Sequence, residues 1–125
     1  MKMLICDDDS IILRALEFRF KKDGFEIIRA VNGRDARKII TENDDIDVMV
    51  TDLHMPIING LELLLYVRQT LNRDIPILVL TRVNVNDTIL QAMEMGANDY
   101  VTKPFNPDEI SNKVKLLLNN KKINE

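Results

Sequence analysis

The sequence predicts an α/β domain of five strand–helix units, a parallel sheet with helices on both faces. Short apolar runs recur at residues 3–6, 27–28, 48–50, 77–80 and 100–101 of the 125. Three of the five are continuous rather than alternating, the pattern of strands buried on both faces. The stretches between them carry apolar residues at helical spacing.

The first strand, residues 3–6, runs into Asp7-Asp8-Asp9; Ser10 can cap a helix marked by Ile12, Leu13, Leu16 and Phe20, with Gly24 just past its end. After the strand at 27–28, Asn32-Gly33 opens a second helix marked by Ala36, Ile39 and Ile40. The strand at 48–50 precedes a third helix, marked by Leu61, Leu64, Leu65 and Arg68. The strand at 77–80 precedes a fourth, with Ile89, Ala92 and Met93, and Gly96 stands at a C′-like position. Past the brief strand at 100–101, Asn106-Pro107-Asp108-Glu109 reads as an N-cap, a proline at the first helical position and a Glu three residues after the cap. The helix it opens carries Ile110, Val114, Leu117 and Leu118. Residues 119–125 look frayed, so the domain is placed at 1–119, with 120–125 as a tail or linker stub.

Composition excludes several classes. At 46% hydrophobic and 30% charged the chain suits a soluble globular domain. Lys+Arg 17 against Asp+Glu 20 gives a net charge of −3, without the basic excess of a nucleic-acid-coating protein. No apolar run approaches the roughly 18 residues that span a bilayer, and the opening Met-Lys-Met-Leu-Ile-Cys meets three acids at once, unlike a secretion signal. One cysteine excludes an intramolecular disulfide framework and one histidine argues against a His-based zinc site. A cytoplasmic domain that contacts neither membrane nor nucleic acid is expected.

In open parallel sheets ligands bind beyond the carboxyl ends of the strands. Those ends carry Asp7-Asp8-Asp9, Thr51-Asp52, Thr81-Arg82 and Thr102-Lys103-Pro104; the second strand exits into Ala30-Val31-Asn32, which offers little. Carboxylates gathered from different loops repel one another unless a cation or proton intervenes. Oxygen ligands without His or Cys select a hard ion such as Mg²⁺. Asp7 and Asp8 then read as metal ligands and Asp52 as a carboxylate able to attack phosphorus, with Lys103 and the Thr81 hydroxyl neutralising phosphoryl oxygens. Each residue also has a plain reading, Asp and Thr as caps or turn formers and Lys103 as a solvated loop residue. Their coincidence at four strand ends is what points to chemistry.

Leu4-Ile5-Cys6-Asp7-Asp8-Asp9, Val50-Thr51-Asp52-Leu53-His54-Met55-Pro56 with Asn59-Gly60, Leu78-Val79-Leu80-Thr81, and Gly96-Ala97-Asn98-Asp99-Tyr100-Val101-Thr102-Lys103-Pro104-Phe105 together resemble the receiver domain of bacterial two-component response regulators. The resemblance runs from about Met3 to about Leu118 and implies a flavodoxin-like sheet of strand order 2-1-3-4-5. It implies that Asp52 accepts a phosphoryl group from a histidine kinase or histidine phosphotransfer protein, and that the chain is a switch with only intrinsic autophosphorylation and autodephosphorylation chemistry rather than an enzyme. It implies Mg²⁺ held by Asp8 directly, Asp7 through water, Asp52, and the backbone carbonyl of His54. Thr81 and Lys103 are the implied phosphate-binding pair, Lys103-Pro104 an implied cis peptide, and Thr81 with Tyr100 the implied switch pair, biasing a surface of the fourth helix, fifth strand and fifth helix. A downstream protein or fused output domain, or a phosphorylation-dependent homodimer, would read that surface.

Some residues depart from the family pattern. Arg82 stands where Ala or Gly is usual; its guanidinium could partly cover the acceptor, pair with Asp7 or Asp9, or snorkel over the surface. Cys6 reads as a small buried hydrophobe, the His54 side chain as tuning water access, and Met93 with Met95 as packing. Asp99, Glu109, Lys113 and Lys115 fit the charged pairing of winged-helix family members, but Ile89 and Met95 stand where charges are expected, and an exposed Ile89 would mark a more apolar contact. Among rivals, an aspartyl phosphatase wants an acid two residues after the nucleophile, where His54 stands. A flavodoxin-like carrier wants a phosphate cradle where Asp7-Asp8-Asp9 stand. A phosphorylation-independent docking module is the remaining alternative.

Overall fold

The computed structural model describes residues 1–82 and 86–124. Five strands, β1 (Lys2–Cys6), β2 (Glu26–Ala30), β3 (Val48–Asp52), β4 (Ile77–Arg82) and β5 (Asp99–Lys103), form one parallel sheet in the order β2-β1-β3-β4-β5. Helices α1 (Ser10–Lys22), α2 (Gly33–Glu42), α3 (Gly60–Leu65), α4 (Asn86–Glu94) and α5 (Pro107–Asn124) connect and cover it, and α3 continues as a π-helical turn, Tyr66–Thr70. The expected architecture and strand order are both present.

Strand alternation divides the core into two layers. Leu4, Met49, Ile77 and Val79 face α2, α3 and α4, with Ala36, Ile40, Leu63, Leu64, Val67 and Ala92. Met3, Ile5, Val48, Val50, Leu78, Leu80 and Val101 face α1 and α5, with Leu13, Leu16, Phe20, Ile110 and Val114. Among the described residues no helix is long and apolar enough to cross a membrane.

Local details correct some expectations. Asp9, not Ser10, caps α1, its carboxylate accepting from Ile11 N at 2.9 Å and Ile12 N at 3.4 Å; an ionised acceptor bonds helix-end amides more strongly than a hydroxyl. Asn32 caps α2 as expected, and Gly24 and Gly96 take left-handed φ values after α1 and α4. The buried face of α3 and its π-helical extension is Leu63, Leu64 and Val67, while Leu65 is exposed. Residues 119–124, expected to fray, continue α5. Ile89 is half-buried, and Leu90 is the exposed apolar residue of α4. Met95 packs on the core, whereas Met93 is exposed.

Arg68, a helix marker in the sequence, ties two loops together. Its guanidinium donates to the carbonyls of Gly96 (2.8 and 3.0 Å), Arg73 (3.0 Å) and Ile75 (2.7 Å) and to Asn98 Oδ1 (2.9 Å). Asn98 Oδ1 in turn accepts from Ile77 N at 2.8 Å, fixing the start of β4. Replacing this fork with an apolar chain strands several carbonyls. Arg68→Met is expected to cost about 2–3 kcal/mol, a fall of about 10 °C in melting temperature by calorimetry, with the sheet retained by circular dichroism.

Candidate functional site at the carboxyl edge of the sheet

The sheet register determines what meets at this edge. Cys6 pairs with Thr51, so the next residues, Asp7 and Asp52, emerge side by side from β1 and β3. Asp52 pairs with Leu80 and Leu80 with Val101, which sets Thr81 one step and Lys103 two steps beyond the Asp52 level. Asp7 is fully buried, Asp52 nearly so, and Asp8 exposed.

The Lys103 ammonium joins the two buried carboxylates. Lys103 Nζ donates to Asp7 Oδ2 at 2.9 Å and to Asp52 Oδ2 at 3.2 Å. The remaining oxygens take main-chain donors: Asp9 N reaches Asp7 Oδ1 at 2.9 Å, and His54 N reaches Asp52 Oδ1 at 3.1 Å. The loop after Asp52 is held close by Gly60, whose N–H donates to Leu53 O at 3.0 Å. A Cβ on Gly60 would lie 2.4 Å from the Asp52 carbonyl oxygen, so only glycine permits this approach.

Charge is unbalanced here. Asp7, Asp8 and Asp52 each offer a carboxylate oxygen, all within 4.8 Å of one another, against one ammonium. Burial raises the Asp7 pKa, Asp52 adds to the rise, and Lys103 with the Asp9 N–H opposes it. Burial works against the Lys103 ammonium, but Asp7 and Asp52 outweigh it and its pKa is raised. The Thr81 hydroxyl is fully buried, with no partner within hydrogen-bond distance among the described residues. Three hard carboxylate donors in a negative hollow fit Mg²⁺, and an unpartnered buried hydroxyl fits an incoming anionic oxygen.

The family profile described as response regulator receiver domain matches residues 3–115. The chain belongs to the response regulator receiver family. It is 37% identical over 117 residues to the transcriptional regulatory protein PrrA of Mycobacterium tuberculosis, covering 94% of this chain but 49% of that protein, so it spans about half the length of that relative. It is 33% identical over 120 residues to a chemotaxis protein CheY homolog of Campylobacter jejuni, covering 94% of this chain and 92% of the homolog. The crystal structure of a response regulator receiver domain protein from Clostridium thermocellum superposes with a TM-score of 0.90 at 31% identity, covering 99% of this chain and 98% of that one. Receiver domains are signalling switches of two-component systems and typically bind Mg²⁺ at an acidic pocket.

The structure thus gathers Asp7, Asp8, Asp52 and Lys103 and buries Thr81 at the same edge. The Lys103–Pro104 peptide is cis, as the resemblance implied. The His54 side chain is exposed, and its backbone N–H is what touches Asp52. Arg82 is exposed and, among the described residues, pairs with neither Asp7 nor Asp9, which removes the pairing alternative. Cys6 is buried, and burial pushes its thiol up to about 12, consistent with a packing role. Tyr100 is 38% exposed, with Lys113 Nζ 5.5 Å from its ring centroid, 3.0 Å from its carbonyl oxygen and 3.4 Å from Asp99 Oδ2. Lys115 lies 3.5 Å from Asp23 Oδ1, so two cations expected at a dimer face already have partners within the chain.

Two outcomes follow from the electrostatics. Asp8→Asn is expected to raise the Mg²⁺-free melting temperature by about 3 °C, by relieving repulsion, and to abolish most of the stabilisation Mg²⁺ gives the parent. A lysine whose folded-state pKa is raised stabilises fully below its ordinary value of 10.5, and that contribution is lost as pH climbs through the raised value. The stability gap between parent and Lys103→Met, read by urea denaturation, is therefore expected to stay level through neutral pH and shrink above 10.5.

Proposed function

We propose that this receiver domain accepts a phosphoryl group on Asp52 from a phosphohistidine of a histidine kinase or histidine phosphotransfer protein. In that transfer a bond forms between an Asp52 carboxylate oxygen and phosphorus while the phosphorus–nitrogen bond breaks. The electron pair stays on the imidazole nitrogen, and the donor leaves as free histidine. The observation that carries the reading is the pairing of a nearly buried Asp52 with the Lys103 ammonium, 3.2 Å away, beside the partnerless Thr81 hydroxyl.

Each neighbour has a task. His54 N holds Asp52 Oδ1 and so sets the plane of the carboxylate. Lys103 is a charge-assisted donor for a phosphoryl oxygen, and the Thr81 hydroxyl gains through that oxygen the acceptor it otherwise lacks. Asp7, Asp8, Asp52 and the backbone carbonyl of His54 would hold Mg²⁺, which supplies charge neutralisation at the phosphoryl oxygens.

The output follows from Thr81 and Tyr100. As the Thr81 hydroxyl turns to the phosphate, the Tyr100 ring moves inward behind it, breaking its contact with Lys113. A cation–π contact at an exposed site is worth only about 0.5–1 kcal/mol, so a modest bias at the phosphate is enough to move the equilibrium. The α4–β5–α5 face would then present a changed surface to a downstream protein, a fused output domain or a second copy of the chain.

Beryllofluoride with Mg²⁺ mimics the phosphorylated aspartate. In the parent it is expected to shift backbone amide resonances from Thr81 through Tyr100 to Lys113, and in Asp52→Asn to shift none. A flat response in the parent would leave the phosphorylation-independent docking module as the better reading.

A further inference from the structure

A second concavity lies between α2 and the π-helical turn, apart from the acidic hollow. It is open to solvent, offers about 360 Å³, and is lined by Arg34, Arg37, Lys38 and Thr41 of α2, Ile58 of the loop after β3, and Tyr66. That volume is at the lower end of the range for small-molecule sites. Glu42 is its single acidic lining residue. Among the described residues the one acid within ion-pair distance of the three cations is Asp35, loosely placed 3.8 Å from Arg34. Three cations therefore converge here in a chain whose net charge is −3.

These cations do not serve the helix that carries them. A helix favours anions in its first turn and cations in its last. In α2, Arg34 stands beside Asp35 in the first turn, no basic residue stands in the last, and Glu42 closes it. Local preference set aside in this way often marks a site. The far wall is tied to α2. The Thr41 hydroxyl donates to Arg37 O at 2.6 Å, so at the 2.7 Å contact between the two hydroxyls the Tyr66 O–H is the donor. The Arg37 guanidinium lies over the Tyr66 ring, 4.5 Å from its centroid, and a guanidinium held on a ring face keeps edge N–H groups for a ligand. Tyr66 opens the π-helical turn, a form frequent at functional sites.

We propose that this cavity binds a small organic phosphate. Arg34, Lys38 and the free edge of Arg37 hold the phosphate, a pairing suited to the planar guanidinium fork. Ile58 and the Tyr66 ring take up the organic part.

The test is a titration of the full chain without Mg²⁺, with AMP as the probe and inorganic phosphate as the control, followed by backbone amide resonances. AMP is expected to bind saturably at about a millimolar or tighter, with shifts centred on residues 34–41 and 66, and inorganic phosphate more weakly. Arg37→Gln combined with Lys38→Gln, both at exposed positions, is expected to keep the parent's melting temperature and weaken AMP at least about tenfold. Arg37→Lys, which keeps the charge but not the fork, is expected to fall between the two. The proposal is overturned if AMP does not saturate, if the double variant binds as the parent does, if the shifts centre on Thr81 and Lys103, or if inorganic phosphate binds as tightly as AMP.

Discussion

One ammonium shared by two buried carboxylates is the constraint on which this domain depends. Lys103 reaches Asp7 and Asp52 from the far edge of the sheet, across the intervening β4. A slip of one residue in any of β1, β3 or β5 would turn its end residue to the other face and leave a charge buried alone. The two apolar layers make the register robust, and the polar edge makes it specific. The same contact opposes the burial that raises the Asp7 pKa, without overcoming it.

Much of this was readable in the sequence, for physical reasons. Strands covered on both faces must be apolar throughout, so residues 3–6, 48–50 and 77–80 stand out, and the residues just past them fall on the carboxyl edge. Asp7, Asp8, Asp52, Thr81 and Lys103 could therefore be grouped before any coordinates. Periodicity did less well where the backbone departs from regular geometry. Before the π-helical turn at Tyr66–Thr70, Leu64 is buried and Leu61 packs on the core as the spacing indicated, but Leu65 is exposed and the buried Leu63 and Val67 were missed. The choice between adjacent residues of similar chemistry, Asp9 against Ser10 as a cap, was settled by tertiary context. The end of α5 carries few apolar residues past Leu118, so no periodic signal announced its last turn.

Arginine had the least readable roles. Arg68 looks like one more polar residue at helical spacing, and only the folded chain shows it bonding three carbonyls from two loops. Arg37 looks like a solvated face, yet it stacks on Tyr66 across a cavity. Both are long side chains whose partners lie on other elements, beyond the reach of local spacing rules. The molecule separates its charge as a result: an acidic hollow at the carboxyl edge beside β1 and β3, and a basic cavity against α2.

The central claim, that Asp52 is the atom donor in a new bond to phosphorus, has a direct chemical test. An acyl phosphate on aspartate is reduced by borohydride to homoserine, so a histidine-phosphorylated donor, Mg²⁺ and borohydride quenching followed by peptide mass analysis locates the modified residue. The account predicts homoserine at position 52 alone, absent when the phosphodonor is omitted. Reduction at Asp7 or Asp8, or no reduction anywhere despite a competent donor, would contradict it.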